Sequence, residues 1–383
     1  MAIRKLRMGM IGGGFGSFIG DVHRKAASID GMIELVCGAF SSSAEKSKAS
    51  GKALFLPEER CYGSFEEMIY RENELPDDEK MDFVAIVTPN HMHFPPAKMA
   101  LEHGFHVLCD KPMTLTLDEA YQLVDIVKDS GKLFALTHNY TGYPMVKQAR
   151  ALVARGDLGN IRKIQVQYLQ GWMSTAVEKT ENKQASWRVD PKKSGIGGAL
   201  GDIGTHAENL VEYITGLKIV ELAADLGRFG KGRILDDDGN VLLRMHNGAK
   251  GTMSISQIAL GEENNLAIKV YGDRGSLEWH QENPNKLVTH WLDKPVKVYT
   301  PNGNDLYPEA LESSRIPAGH PEGYLEAFAT IYKNFASHVL AVLNDEHDSK
   351  FDYPTVDDGL RGMQFIYASV ESDKANASWT KLS

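Results

Sequence analysis

The sequence is poor in cysteine, has no long apolar run and carries no excess of positive charge. Its three cysteines, Cys37, Cys61 and Cys109, are spread through 383 residues. None is spaced as a metal knuckle or redox pair, and Cys37 and Cys109 lie in apolar runs where cysteine packs as a small hydrophobe. A disulfide framework is not expected, and a reducing, cytoplasmic setting is. No segment approaches the roughly 20 apolar residues of a membrane span. The basic N-terminus MAIRKLRMGMIGGG reaches its glycines too soon to hold a signal peptide. Lys and Arg total 42 against 51 Asp and Glu, and the net charge of −9 is scattered along the chain. That balance argues against a nucleic-acid partner. No repeat or low-complexity segment is present.

The length favours two domains, and the patterning changes near Tyr140. Before it, short apolar runs alternate with helical patterns. LRMGMI, IELVCGAF, FVAIVT, HVLCD and KLFALTH read as strands, with helices between them. Continuously apolar strands separated by helices predict a parallel sheet covered on both faces. After Tyr140 the strands lengthen and alternate, as in IRKIQVQYLQ, NVLLRMH and AKGTMSISQIAL, and several are joined by short Gly- or Asn-containing turns. That pattern predicts a mostly antiparallel sheet. The fold expected is therefore α/β, with a parallel-sheet domain over 1–140 and an α+β domain with an open, mostly antiparallel sheet over 141–383. Helices are expected near Pro321–Leu343 and Thr355–Glu371, and a long surface loop over Asp293–Gly319.

Four constellations carry chemistry. Gly12, Gly13 and Gly14, followed by Phe15, stand between a strand and a helix, the context in which backbone N–H groups and a helix N-terminus receive a pyrophosphate. In G-x-G-x-x-G phase the third position is Ser17, and glycines recur at Gly16 and Gly20, so the loop reads as lengthened. After the second strand, where NAD-binding folds usually place an acid, the chain has Phe40, Ser41, Ser42 and Ser43, with Lys46 and Lys48 nearby. Hydroxyls there bond a 2′-phosphate without repelling it, which favours NADP with NAD use left open. The same serines also suit a helix cap. Thr88, Pro89, Asn90, His91 and His93 end an apolar strand at the ligand-binding edge of such sheets, a place for lining the nicotinamide pocket. His91 and His93 lack the further ligands a zinc site needs, so no metal is expected. Asp110–Lys111–Pro112 delivers a lysine to the same edge.

The fourth constellation begins at Trp187 and Arg188 and continues into SGIGGALGDIGTHAEN from Ser194. Asp202 and His206 stand four residues apart at a predicted helix start, hence on one face. A carboxylate beside an imidazole is what alcohol–carbonyl proton transfer needs. Trp187 and Arg188 suit a polyhydroxylated substrate; core packing is the other reading of Trp187.

Taken in order, the glycine loop, TPNHMH, DKP, HNYTGYP and WRVDP…GGALGDIGTH closely resemble the Gfo/Idh/MocA oxidoreductases over nearly the whole chain. The resemblance implies a Rossmann domain followed by an open-faced α/β domain whose sheet often supports oligomers, here a homodimer or homotetramer. It implies an NAD(P)-dependent dehydrogenase acting on a sugar, anhydrosugar or cyclitol, with Lys111, Asp202 and His206 at the reacting carbon. Asp110 replaces the family's usual glutamate. Asn209 stands where an aspartate is common and a residue often faces substrate hydroxyls. In this reading His206 takes the hydroxyl proton, Asp202 orients the imidazole, and Lys111 donates to the same oxygen. The rival readings are a redox-neutral sugar-modifying enzyme, an aldose–aldose oxidoreductase with tightly held coenzyme, and a non-enzymatic sensor on the same fold. Net coenzyme reduction separates the first reading from its rivals.

Overall fold

Five strands, each short and apolar, build the sheet of the first unit. They are β1 (Leu6–Gly12), β2 (Ile33–Ala39), β3 (Phe83–Val87), β4 (His106–Cys109) and β5 (Phe134–Leu136). All neighbours pair in parallel, in the order β2-β1-β3-β4-β5. Every residue of β3 is buried, as a strand covered on both faces requires. Four of the connecting helices start where a side chain accepts a backbone N–H group: Ser17, Ser43, Ser64 and Thr116, the last in a capping box with Glu119. The strand order changes direction between β1 and β3, so the C-terminal ends of those strands frame the crevice where open α/β sheets take ligands.

The computed structural model describes residues 4–180, 183–346 and 351–382. The chain forms two units, Met1–Asn139 with Phe328–Leu360, and Tyr140–Ala327 with Arg361–Ser383. It thus returns to the first unit near its end, which a single cut at Tyr140 does not describe. The returning segment is apolar where it packs: Phe335 meets Phe83 edge-on at 5.3 Å, and Tyr332 Oη lies 2.8 Å from His23 Nδ1.

The second unit is built on β6 (Lys163–Leu169), β7 (Ile219–Gly227), β8 (Asp238–Met245), β9 (Lys250–Ser256), β10 (Asn265–Tyr271), β11 (Gly275–His280), β12 (Leu287–Trp291), β13 (Lys297–Tyr299) and β14 (Thr380–Lys381). The sheet order is β13-β12-β11-β10-β6-β9-β8-β7-β14. Among the described residues, only β6 and β9 pair in parallel in this sheet; β6 lies between β9 and β10, so the later strands do not form an unbroken meander. Alternation decides the faces. Ile164, Val166 and Tyr168 point to the buried side, as do Val241, Leu243, Met253 and Ile255. Gln165, Gln167, Asn240, Leu242, Thr252, Ser254 and Lys269 line a shallow hollow on the other side. The stretch Asp293–Gly319, expected as a loop, contains β13 and a helical turn, Pro308–Leu311. Tyr299 and Ala310 explain why: both are buried and anchor the segment. Among the described residues, no helix is long and apolar enough to cross a membrane.

Burial also sets how the fold answers acid. His23 and His106 are almost wholly enclosed, and burial lowers each from 6.5 to about 4; the Lys132 charge adds to the effect at His106. The unfolded chain therefore takes up these protons first. The stability that depends on these two rings is fully present well above pH 6.5 and declines as pH falls through 6.5 towards 4. Between pH 7 and pH 5 each histidine should cost about 2 kcal/mol of unfolding free energy. Urea denaturation at the two pH values checks this: His23→Gln should shrink the loss by about 2 kcal/mol, and an unchanged loss would refute it.

Candidate active site

The glycine loop leaves β1 with Gly12 at φ +80° and Gly13 at φ +70°, a conformation that L side chains rarely adopt. A Cβ on Gly12 would lie 2.8 Å from Thr88 Cγ2. One on Gly13 would meet Val87 Cγ2 at 2.7 Å, and one on Gly14 would meet the Phe40 carbonyl at 2.7 Å. The third glycine of the motif is Gly20, not position 17: its Cβ would fall 2.4 Å from Gly13 Cα. Ser17 instead caps the helix Phe18–Ile29 by accepting from Gly20 N at 3.1 Å. The extra residues thus carry the turn while Gly20 lets helix and loop touch. Arg24, missed in the sequence, donates to the Gly13 carbonyl at 2.5 Å and ties the loop down. Phe15 projects outward, 81% exposed, while its backbone N–H donates to Ser50 Oγ. Bare backbone, a helix N-terminus and no room for side chains fit a dinucleotide pyrophosphate.

The rest of that edge is fixed by carbonyls. Ser43 caps the helix Ala44–Ala53, and Ser41 Oγ accepts from Ser43 N, while Ser42 is exposed. Thr88 Oγ1 donates to the Met92 carbonyl, and Asn90 is buried beyond the half-buried Pro89. His93 is buried, with Nδ1 2.7 Å from the Pro112 carbonyl and Nε2 2.8 Å from the Thr88 carbonyl. Both ring nitrogens face backbone carbonyls, and the neutral ring favoured by burial donates to one of them, so His93 packs between two loops and shapes the crevice. Asp110 Oδ1 accepts from Thr137 Oγ1 at 2.6 Å and from Lys111 N at 3.0 Å. It fixes the backbone from which half-buried Lys111 extends, ahead of a cis bond to Pro112.

In the second unit, Asp202 lies on a π turn, Leu200–Gly204, that runs into the α-helix Thr205–Thr215 bearing His206. A plain α-helical start was expected. Wider i→i+5 turns of this kind are frequent at functional sites. Asp236 holds this turn from the β7–β8 connection. Its Oδ1 accepts from Gly198 N and its Oδ2 from Leu200 N, both at 2.6 Å, and its carbonyl accepts from Ala199 N at 2.9 Å. Burial pushes Asp236 up to about 6 despite those bonds. Nothing in the local sequence marks it, because the contact spans nearly 40 residues.

Asp202 Oδ2 accepts from Arg188 Nε at 2.9 Å and from Gln257 Nε2 at 2.8 Å. Its side chain is 15% exposed and that of Arg188 22%, so the pair is only partly screened by solvent. Arg188 lies over Trp187 at 4.4 Å and beside Trp172 at 6.0 Å. The arginine assigned to substrate thus first serves Asp202, and Gln257 and Trp172 are further members of the cluster. Trp187 is half-buried against Arg188, not core. The His206 ring is buried and packs edge-on against Tyr140 at 4.8 Å. Asn209 is buried one helical turn further on. The geometry supplies a held carboxylate and a held imidazole on one element, the parts of a proton-transfer site.

Comparison with known proteins agrees with this chemistry. Residues 6–138 match the oxidoreductase family with an NAD-binding Rossmann fold, and residues 146–278 match the GFO/IDH/MocA C-terminal domain. The uncharacterized oxidoreductase YfiI of Bacillus subtilis is 33% identical, over 99% of this chain and 97% of its own. Levoglucosan dehydrogenase of Pseudarthrobacter phenanthrenivorans is 29% identical, over 80% of this chain and 84% of its own. The crystal structure of an inositol dehydrogenase homolog from Azotobacter vinelandii, complexed with NAD+, superimposes with a TM-score of 0.95 at 34% identity, covering 99% of this chain and 97% of that one.

The turn that carries Asp202 has no space for a side chain at Gly198, where a Cβ would lie 2.0 Å from the Asp236 carbonyl. Gly198→Ala should destabilise the protein by about 3 kcal/mol, read as a lower urea midpoint. An unchanged midpoint would show that the turn is not held as described.

Proposed function

The chain belongs to the Gfo/Idh/MocA oxidoreductase family, and from that premise we propose that it is an NAD(P)-dependent dehydrogenase oxidising a ring hydroxyl of a sugar, anhydrosugar or cyclitol. The observation that carries this reading is the second unit's pairing of Asp202, fixed by Arg188 and Gln257, with His206 four residues on. Relatives named as levoglucosan dehydrogenase and inositol dehydrogenase homolog supply the substrate class. Amides and indoles around Asp202 suit hydroxyl groups, and Trp187, Arg188 and Asn209 are the substrate-side residues of the proposal. A homodimer or homotetramer formed through the open sheet face completes it; alternating Gln, Asn, Thr and Ser side chains make that face broad and mostly uncharged.

Gly12, Gly13, Gly14 and Phe15 would hold the coenzyme's phosphates, Ser41 and Ser42 its ribose end, and Thr88, Pro89, Asn90, Asp110 and Lys111 the border of the nicotinamide. A coenzyme held there would supply the hydride acceptor for the forward reaction and the hydride donor for the reverse. NAD is the family's coenzyme. Acceptance of NADP rests on Ser41 and Ser42, which put no carboxylate in the way of a 2′-phosphate.

His206 takes the proton from the substrate hydroxyl as the carbon–hydrogen bond breaks. Asp202 keeps the imidazole oriented and offsets its positive charge. Lys111 donates a hydrogen bond to the same oxygen and stabilises negative charge on it. His206→Ala should lower turnover about 10²–10⁴-fold with coenzyme binding retained; full turnover would overturn the assignment. Lys111→Met should reduce kcat more than it weakens coenzyme affinity, measured by fluorescence titration. A pure binding defect would remove its catalytic role. Screening sugars and cyclitols with NAD and with NADP then identifies the substrate, and a kcat/KM for NADP far below that for NAD would end the dual-coenzyme reading.

A further inference from the structure

The imidazole of His206 rests on a hydrogen-bonded ring whose proton directions can be deduced. Tyr168 Oη lies 2.8 Å from Asn264 Oδ1, and an amide oxygen only accepts, so Tyr168 donates there. Tyr140 Oη lies 2.5 Å from Tyr168 Oη. The Tyr168 proton is already committed, so Tyr140 donates in that bond. Asn264 Nδ2 then donates to Tyr140 Oη at 3.4 Å and closes the cycle. The opposite amide orientation would set an N–H against the Gln170 Nε2 donor, which bonds Asn264 Oδ1 at 2.8 Å. Asn264 Nδ2 also reaches Gln281 Oε1 at 3.1 Å. Both the oxygen and the nitrogen of this one amide are thus used twice.

The ring has two outputs. Tyr140 presents its edge to His206 at 4.8 Å, and Tyr168 flanks the same imidazole at 6.2 Å. On the other side, Gln170 Oε1 accepts from Trp172 Nε1 at 3.0 Å, and the Trp172 ring stands 6.0 Å from the Arg188 guanidinium that holds Asp202. Asn264 lies on neither element that carries the reacting groups. We propose that Asn264 is a positioning residue whose amide sets Tyr140 against His206 and, through Gln170 and Trp172, Arg188 against Asp202. Burial raises both phenols above their ordinary values, which keeps their protons in the cycle. Tyr140 is accordingly a wall for His206 and not a second proton acceptor.

This inference rests on the dehydrogenase reading, and a double-mutant cycle separates the two. Turnover is assayed on the sugar or cyclitol that the wild-type enzyme oxidises fastest. Asn264→Ala should lower kcat about 10–100-fold, with coenzyme affinity unchanged. In a His206→Ala background the same substitution should cost less than about 3-fold, because the group it positions is gone. Equal losses in both backgrounds would overturn the positioning role. Undiminished turnover of His206→Ala alone would instead overturn the role of His206, and this inference with it, whereas wild-type enzyme that reduces coenzyme with none of the sugars or cyclitols would overturn the dehydrogenase reading. Tyr168→Phe opens the ring without leaving a cavity and should show the same non-additivity if Asn264→Ala does not fold.

Discussion

A single buried carboxylate organises the candidate active site of the second unit. Asp236 reaches from the β7–β8 connection to the backbone of Gly198 and Leu200 and fixes where the π turn begins. Once that start is set, Asp202 and His206 take their places by helical geometry. Arg188, Gln257 and Tyr140 then fill in around them. Leaving a buried donor without an acceptor costs about 1–3 kcal/mol, so the two N–H groups make the arrangement expensive to leave. Keeping Asp236 ionised in that enclosure also has a cost, visible in its rise to about 6. The fold tolerates a destabilising charge at the point where position matters most, a pattern common to functional sites.

The first unit solves a different problem, close approach of backbone to a phosphorylated ligand. Its solution is subtraction: Gly12, Gly13 and Gly20 remove side chains where strand, loop and helix converge. Arg24 and Ser50 then fasten the loop from outside. His93 and Asp110 do the same for the neighbouring turns, so Lys111 projects from a braced platform. In both units the residues with chemistry are held by others that have none.

Periodicity and local motifs made the architecture legible. Apolar runs such as FVAIVT became β3, and alternating runs such as IRKIQVQYLQ became β6. Short-range signals also marked Gly12–Gly14, Lys111, Asp202 and His206. What stayed hidden depends on distant partners. Asp236 and Gln257 contact the Gly198–Asp202 segment from 36 to 55 positions away, and Asn264 meets Tyr140 across 124. The return of Phe328–Leu360 to the first unit is illegible for the same reason. The role of Gly20 was within reach, since a glycine one helical turn inside an otherwise well-capped helix has a packing reason. Arg188 shows the converse: its proximity to a pocket was readable, but its commitment to Asp202 was not.

The proposed reaction takes hydride from a carbinol carbon of the substrate as His206 takes the hydroxyl proton. Isotopic tracing tests this most directly. A sugar or cyclitol substrate carrying deuterium on the carbon to be oxidised is turned over, and the coenzyme is analysed by mass spectrometry. The account predicts one deuterium in every reduced coenzyme molecule, matched by one equivalent of ketone or lactone product. Reduced coenzyme without the label, or product formed with no net reduction, would contradict it.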